Sequence, residues 1–186
     1  MKDRIWTLSN GLSLLRILLV VPVAVLLFSA HPDARLCAAG LIVIAALTDF
    51  LDGLIARMKN EVTLFGKIID PIADKVGIGA VALILTAQGT LPLWFPLAVV
   101  GRDLAILGAA YHLSRKGAAM PQSNQTGKWA AGVMGLTVFI AVIDPENASG
   151  ILLPCLVASA AMIVLSSVSY AKRFSSRDRE ISAPTR

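Results

Sequence analysis

The sequence predicts an all-α, polytopic membrane protein with six transmembrane helices and both termini cytoplasmic. Three observations predict it. Of the 186 residues, 56% are hydrophobic and only 16% are charged, against about 25% charged in ordinary soluble domains. A single domain of this size has no interior large enough for that much apolar surface, so the surface must face lipid. Second, six windows approach the roughly 20 apolar residues that a helix needs to cross a bilayer: 11–30, 36–57, 66–87, 94–114, 128–144 and 151–171. Third, the basic residues are lopsided. With a cytoplasmic N-terminus, that side holds Lys2, Arg4, Arg57, Lys59, Arg115, Lys116, Lys128, Lys172, Arg173, Arg177, Arg179 and Arg186, the opposite side holds Arg35, and Arg16, Lys67, Lys75 and Arg102 fall within spans. Short loops rich in Lys and Arg stay inside, which fixes the orientation. The same composition excludes a disordered chain, a fibrous one and a typical cytosolic enzyme.

The elements follow in order. The first window is longer than the apolar core of a signal peptide and no A-x-A-like cleavage site follows it, so it reads as a span. It stops at His31-Pro-Asp33. The second runs to Arg57 and breaks over 58–65; the third ends before Gly89–Pro92; the fourth gives way to a polar stretch at 115–127; Asp144-Pro-Glu-Asn147 closes the fifth. These breaks carry the residues that favour turns over helix. The sixth span is followed by 172–186, a basic polar tail read as a cytoplasmic extension that touches anionic headgroups. The organisation is one membrane domain, 1–171, and that tail. Trp6, Trp94 and Trp129 stand at span edges, where aromatic anchors collect, and Tyr111 and Tyr170 read as interface residues of the same kind. The net charge of +5 belongs to the loops beside the spans, so it speaks for topology and lipid contact and not for nucleic acid. Cys37 and Cys155 lie in apolar stretches without a ligand-spaced partner and read as small core residues, in neither a disulfide nor a zinc site. His31 and His112 have no spaced partner and read as non-catalytic.

Ionisable residues inside a span are costly and mark functional sites. This chain concentrates them: Asp49 and Asp52 near the cytoplasmic end of the second span, Asp70, Asp74 and Lys75 near the cytoplasmic start of the third. Residues three or four apart share a helix face, so each pair of aspartates aligns on its helix and all four reach a similar depth. Gly53, Ala56 and Gly66 keep the surroundings small. Four carboxylates this close need positive charge among them. Arg57, Lys67 and Lys75 are candidates, and so are divalent cations. Oxygen donors without His or Cys favour Mg²⁺ or Mn²⁺. Two such ions about 4 Å apart clamp a pyrophosphate, which implies a phosphate-bearing substrate. Two other readings stand beside this one. The cluster would serve as a structural brace, though three cations leave four anions unbalanced, or as a proton or cation pathway in a transporter, though the charges gather at one face and form no ladder across the membrane.

The run Asp49-x2-Asp52-Gly53-x2-Ala56-Arg57-x8-Gly66-x3-Asp70-x3-Asp74 resembles, position for position, the signature of the CDP-alcohol phosphatidyltransferase family, and the six spans are similar to that family's membrane core. The resemblance implies an enzyme of phospholipid biosynthesis that transfers a phosphatidyl group from CDP-diacylglycerol to an alcohol and releases CMP. It implies that Asp49, Asp52, Asp70 and Asp74 hold two metal ions, that Asp74 also takes the acceptor's proton, and that Gly53, Ala56, Arg57, Thr63 and Gly66 form the CDP-lipid site. It further implies a homodimer in a bacterial-type inner membrane, with the active site facing the cytoplasm. Thr63 also reads as the N-cap of the third helix.

The acceptor rests on fewer residues. Gly101-Arg102-Asp103 lies in the fourth span and Ser123-Asn-Gln-Thr126-Gly-Lys128 follows it. Arg102 and Lys128 read as an anion site for a phosphate on the acceptor; Arg102 and Asp103 also read as a structural ion pair. Asn10-x2-Ser13-x2-Arg16 is similar to the opening of the family's phosphatidylglycerophosphate synthases, whose acceptor is glycerol 3-phosphate, although Arg16 also reads as a side chain snorkelling to the surface. The Arg-Asp pair departs from that group and is similar to CMP-forming cardiolipin synthases, and an inositol-phosphate acceptor is the further alternative.

Overall fold

The computed structural model describes the backbone over 8–59, 64–115 and 125–182, and side chains over 15, 17–48, 75–109, 112 and 125–176. The described residues form α-helices and no strand: α1 (Leu8–Phe28), α2 (Ala34–Lys59), α3 (Leu64–Ala87), α4 (Trp94–Arg115), α5 (Gln125–Ile143) and α6 (Leu152–Ser182). Each predicted window holds one helix. The ends differ most at α6, which continues through the basic segment to Ser182. Hydropathy marks where apolar residues stop, whereas Lys, Arg and Glu keep good helix propensity beyond that point.

The chain forms two compact units, Met1–Leu91 with Val138–Glu146, and Pro92–Thr137 with Asn147–Arg186. In the first, α1 packs against both α2 and α3. Val23 and Leu27 of α1, Ala38 and Ala39 of α2, and Val81, Ala82 and Leu85 of α3 are buried, the alanines allowing close backbone approach. At one end a single side chain ties three helix termini. Gln88 donates from Nε2 to the Leu27 carbonyl at the end of α1 (2.7 Å) and accepts at Oε1 from Arg35 Nη2 at the start of α2 (3.0 Å). Gln88 itself follows the last residue of α3. That helix is closed by Gly89, whose φ of 79° lets Thr90 N–H turn back to the Leu85 carbonyl at 2.9 Å, a left-handed termination suited to glycine.

In the second unit α4 packs on α6. Phe95 is fully buried. Thr137 of α5 and Ser159 of α6, both without exposed surface, place their hydroxyls 2.8 Å apart. Thr137 Oγ1 also lies 2.9 Å from the Val133 carbonyl and 3.2 Å from that of Cys155. Each hydroxyl therefore stays bonded where no water competes. Asn147, at φ 54°, accepts at Oδ1 from Leu152 N–H at 3.0 Å and caps α6, while Pro154 takes a place in the first turn that tolerates proline.

The outward faces are as apolar as the inward ones. Leu18, Val21, Val25 and Phe28 of α1 and Leu153, Val157, Val164, Leu165 and Val168 of α6 are exposed. Contiguous apolar surface of this kind fits a lipid environment. Among the described residues, Gln125–Ile143 and Leu152–Ser176 are long and apolar enough to cross a membrane, and Ile17–Phe28, Ala34–Thr48 and Lys75–Ala87 are shorter apolar helical stretches. Trp94 and Trp129, near the starts of α4 and α5, are exposed; Trp6 lies outside the described residues. The expected core position fails for Cys37, which is exposed, while Cys155 is half-buried. Cys37 occupies the outward side of α2 beside Leu36, itself exposed.

Replacing Gln88 with Leu should cost about 1–3 kcal/mol, because it strands the Leu27 carbonyl and one Arg35 nitrogen together. Thermal unfolding of the detergent-solubilised chain checks this as a midpoint lowered by several degrees.

Candidate active site

The signature falls on two helices that share a packing partner. Asp49, Asp52, Gly53, Ala56 and Arg57 belong to α2, and Gly66, Asp70 and Asp74 to α3, both of which pack on α1. The spacing argument therefore holds on the backbone: 49, 52, 53 and 56 follow helical register on one element and 66, 70 and 74 on the next. The side chains of these residues, and Thr63 altogether, lie outside the described residues. Among the described residues no group of three or more His, Cys, Asp or Glu comes together. By residue type, the four aspartates of the signature are an all-oxygen set on two consecutive helices. That set fits a hard divalent cation.

The second unit holds a different polar constellation, and Arg102 is its centre. Its side chain is only 9% exposed, and Nη1 lies 2.8 Å from Asp103 Oδ1, a carboxylate 18% exposed. Nε donates to Ser166 Oγ of α6 at 3.3 Å. The ring of Tyr170, one turn further along α6, lies 5.9 Å from Cζ, within cation–π range. Nη2 reaches the first turn of α5, where a Cβ on Gly127 would stand 3.4 Å away. Next to Gly127, the Thr126 hydroxyl oxygen is buried with no hydrogen-bond partner. Lys128, the following residue, is exposed. Arg102 and the turn that carries Lys128 thus meet, and the pairing of Arg102 with Asp103 is present as well.

Residues 6–169 match the CDP-alcohol phosphatidyltransferase family. The chain belongs to this family. It is 39% identical over 118 residues to a CDP-diacylglycerol–glycerol-3-phosphate 3-phosphatidyltransferase of Rickettsia typhi, covering 63% of this chain and 66% of that protein. A Bacillus subtilis protein of the same name is 38% identical over 102 residues, 53% of this chain and 52% of the relative. A probable phosphatidylglycerophosphate synthase of Mycobacterium tuberculosis is 32% identical over 176 residues, 92% of this chain and 83% of the relative. The matched stretch thus spans about half to two thirds of the first two relatives and most of the third.

Within this family member, two groups around Arg102 escape sequence reading. Tyr170, which by its place at a span edge reads as an interface residue, lies against Arg102 and Gly127, and Ser166 carries no motif at all. Ser166 and Arg102 are 64 residues apart, beyond the reach of any local spacing rule. The sequence does mark them in one way, as a line of polar side chains at Ser159, Ser166 and Tyr170 among the leucines and valines of α6. His31 is exposed in the α1–α2 turn, its Nδ1 accepting from Asp33 N–H at 3.3 Å; His112 is exposed, with the Phe174 ring 5.9 Å from its own. Tyr111 and Arg16 have side chains outside the described residues.

Arg102→Ala should lower stability by about 3 kcal/mol, since it removes one partner of a mostly buried ion pair. Lys128→Ala, at an exposed position, should stay within about 0.5 kcal/mol. Chemical denaturation of the two variants side by side distinguishes these outcomes.

Proposed function

We propose that this chain moves the phosphatidyl group of CDP-diacylglycerol onto glycerol 3-phosphate and releases CMP, a step of phospholipid biosynthesis. The observation that carries the reading is the unbroken family signature on α2 and α3, supported by the names of the relatives. In this reading α1–α6 are six spans with both termini cytoplasmic, residues 1–171 form the membrane domain and 172–186 its basic tail. The active site faces the cytoplasm at a bacterial-type inner membrane, and two copies form a homodimer.

Asp49, Asp52, Asp70 and Asp74 would hold two Mg²⁺ or Mn²⁺ ions, which when bound neutralise the pyrophosphate of the CDP-lipid and the charge that develops on the leaving CMP. Asp74 takes the proton of the acceptor hydroxyl as its oxygen bonds to the lipid-side phosphorus. The bond from that phosphorus to the bridging oxygen breaks, and its electron pair departs with CMP. Arg57 presents a planar fork to phosphate oxygens, Thr63 adds a hydroxyl, and Gly53, Ala56 and Gly66 leave room for the nucleotide. Arg102 and Lys128 hold the phosphate of the acceptor. The Arg102-Asp103 sequence pair, similar to that of CMP-forming cardiolipin synthases, keeps a second acceptor in view, the phosphatidylglycerol those enzymes use.

CMP release from CDP-diacylglycerol, measured across glycerol 3-phosphate, phosphatidylglycerol and inositol phosphate, should proceed with glycerol 3-phosphate. Turnover with phosphatidylglycerol instead would assign the chain to cardiolipin synthesis. Chelation with EDTA should abolish release and Mg²⁺ or Mn²⁺ restore it; full activity in excess EDTA would end the two-ion reading. Asp74→Asn should lower kcat by about 100-fold or more while CDP-lipid binding survives. Lys128→Ala should raise the KM for glycerol 3-phosphate by about 10- to 150-fold, the equivalent of one charge-assisted hydrogen bond of roughly 1.5–3 kcal/mol, with the KM for CDP-lipid unchanged.

A further inference from the structure

We propose that Ser166 and Tyr170 of α6 are positioning residues that set the pose of Arg102, with Gly127 of α5 as the opening that lets this pose exist. The inference rests on Arg102 binding the acceptor's phosphate. An arginine side chain is long and rotamer-rich, so its affinity for a phosphate depends on how much freedom it has lost before the ligand arrives. Here the losses are visible. Ser166 has no exposed surface, and its hydroxyl lies 3.1 Å from the Ile163 carbonyl in its own helix, to which it donates. Its one proton being committed there, the oxygen offers a lone pair to Arg102 Nε–H at 3.3 Å. Asp103 takes Nη1 at 2.8 Å. Bonds at Nε and Nη1 fix the plane of the guanidinium and carry Nη2 to the first turn of α5.

Tyr170 completes the clamp. Its ring lies 5.9 Å from Arg102 Cζ, and its hydroxyl and Cε2 would stand 2.9 and 3.2 Å from a Cβ at Gly127. The first distance is shorter than Cβ atoms tolerate and the second is tight, while Arg102 Nη2 at 3.4 Å would be in ordinary contact, so it is the Tyr170 side chain that a Cβ would displace. Gly127 is helical, so its lack of a Cβ answers to this close approach and not to backbone conformation. Three helices therefore meet at one cation: α4 supplies it, α6 orients it, and α5 makes space for it beside Thr126 and Lys128.

The test is steady-state kinetics on the full-length, detergent-solubilised chain, with KM measured separately for glycerol 3-phosphate and CDP-diacylglycerol. Ser166→Ala should raise the acceptor KM about tenfold and leave the CDP-lipid KM within twofold. It should add nothing further in an Arg102→Ala background. Gly127→Ala should also raise the acceptor KM, and Tyr170→Phe in the same chain should recover part of the loss, because it removes the hydroxyl that a Cβ would strike. That recovery requires the contact itself and is not produced by general destabilisation. Both substrates worsening together, or no rescue by Tyr170→Phe, would overturn the inference. So would an unchanged acceptor KM in Ser166→Ala and Gly127→Ala where Arg102→Ala raises it, which leaves Arg102 as the phosphate ligand. An unchanged acceptor KM in Arg102→Ala would instead remove the reading on which the inference stands. If Ser166→Ala does not fold, the Gly127 and Tyr170 pair decides alone.

Discussion

A backbone set among apolar side chains, with an apolar exterior, must satisfy its own amides, because no water reaches them. That constraint accounts for the all-helical character of the described residues and for the attention paid to helix ends. The interior of each helix closes its own bonds, but terminal carbonyls and amides do not. Gln88 reaches the end of α1, Gly89 turns the end of α3 back on itself, and Asn147 receives the first amide of α6. Each is a polar or conformationally free residue placed where a helix stops.

The same scarcity of water governs polar side chains within the helices. Thr137 and Ser159 face one another across α5 and α6 with backbone carbonyls in reach. Interhelical hydrogen bonds of this kind are worth only about 0.6 kcal/mol on average in membranes, so they select a register more than they hold the helices together. Arg102 is a stronger case. A guanidinium this enclosed is tolerated because Asp103, Ser166 and the Tyr170 ring surround it. Partners that make a charge tolerable also remove its freedom, so the arrangement that admits Arg102 to the interior also holds its guanidinium in one pose.

Whatever depended on local spacing was legible in the sequence. Six apolar windows correspond to six helices, and the aspartate signature lies on α2 and α3 as its three- and four-residue periods require. Helix ends were less legible, α6 above all, because charged residues with good helix propensity extend a helix past its apolar stretch. Long-range partners were not legible. Nothing near Arg102 in the chain points to Ser166, and Tyr170 reads locally as one more aromatic at a span edge. Cys37 shows the complementary failure: in a protein with apolar outer faces, a small apolar residue carries no information about which side of its helix it occupies.

The length of α6 couples two regions that look separate. Its 31 residues, Leu152–Ser182, make a rod about 46 Å long at 1.5 Å per residue, well over the roughly 30 Å of a hydrocarbon core. Tyr170, against Arg102, and the exposed Lys172 and Arg173 sit on that one unbroken rod. Lys172 and Arg173 follow Tyr170 within one turn, so the exposed basic charge of the rod begins directly beside the ring that lies against Arg102.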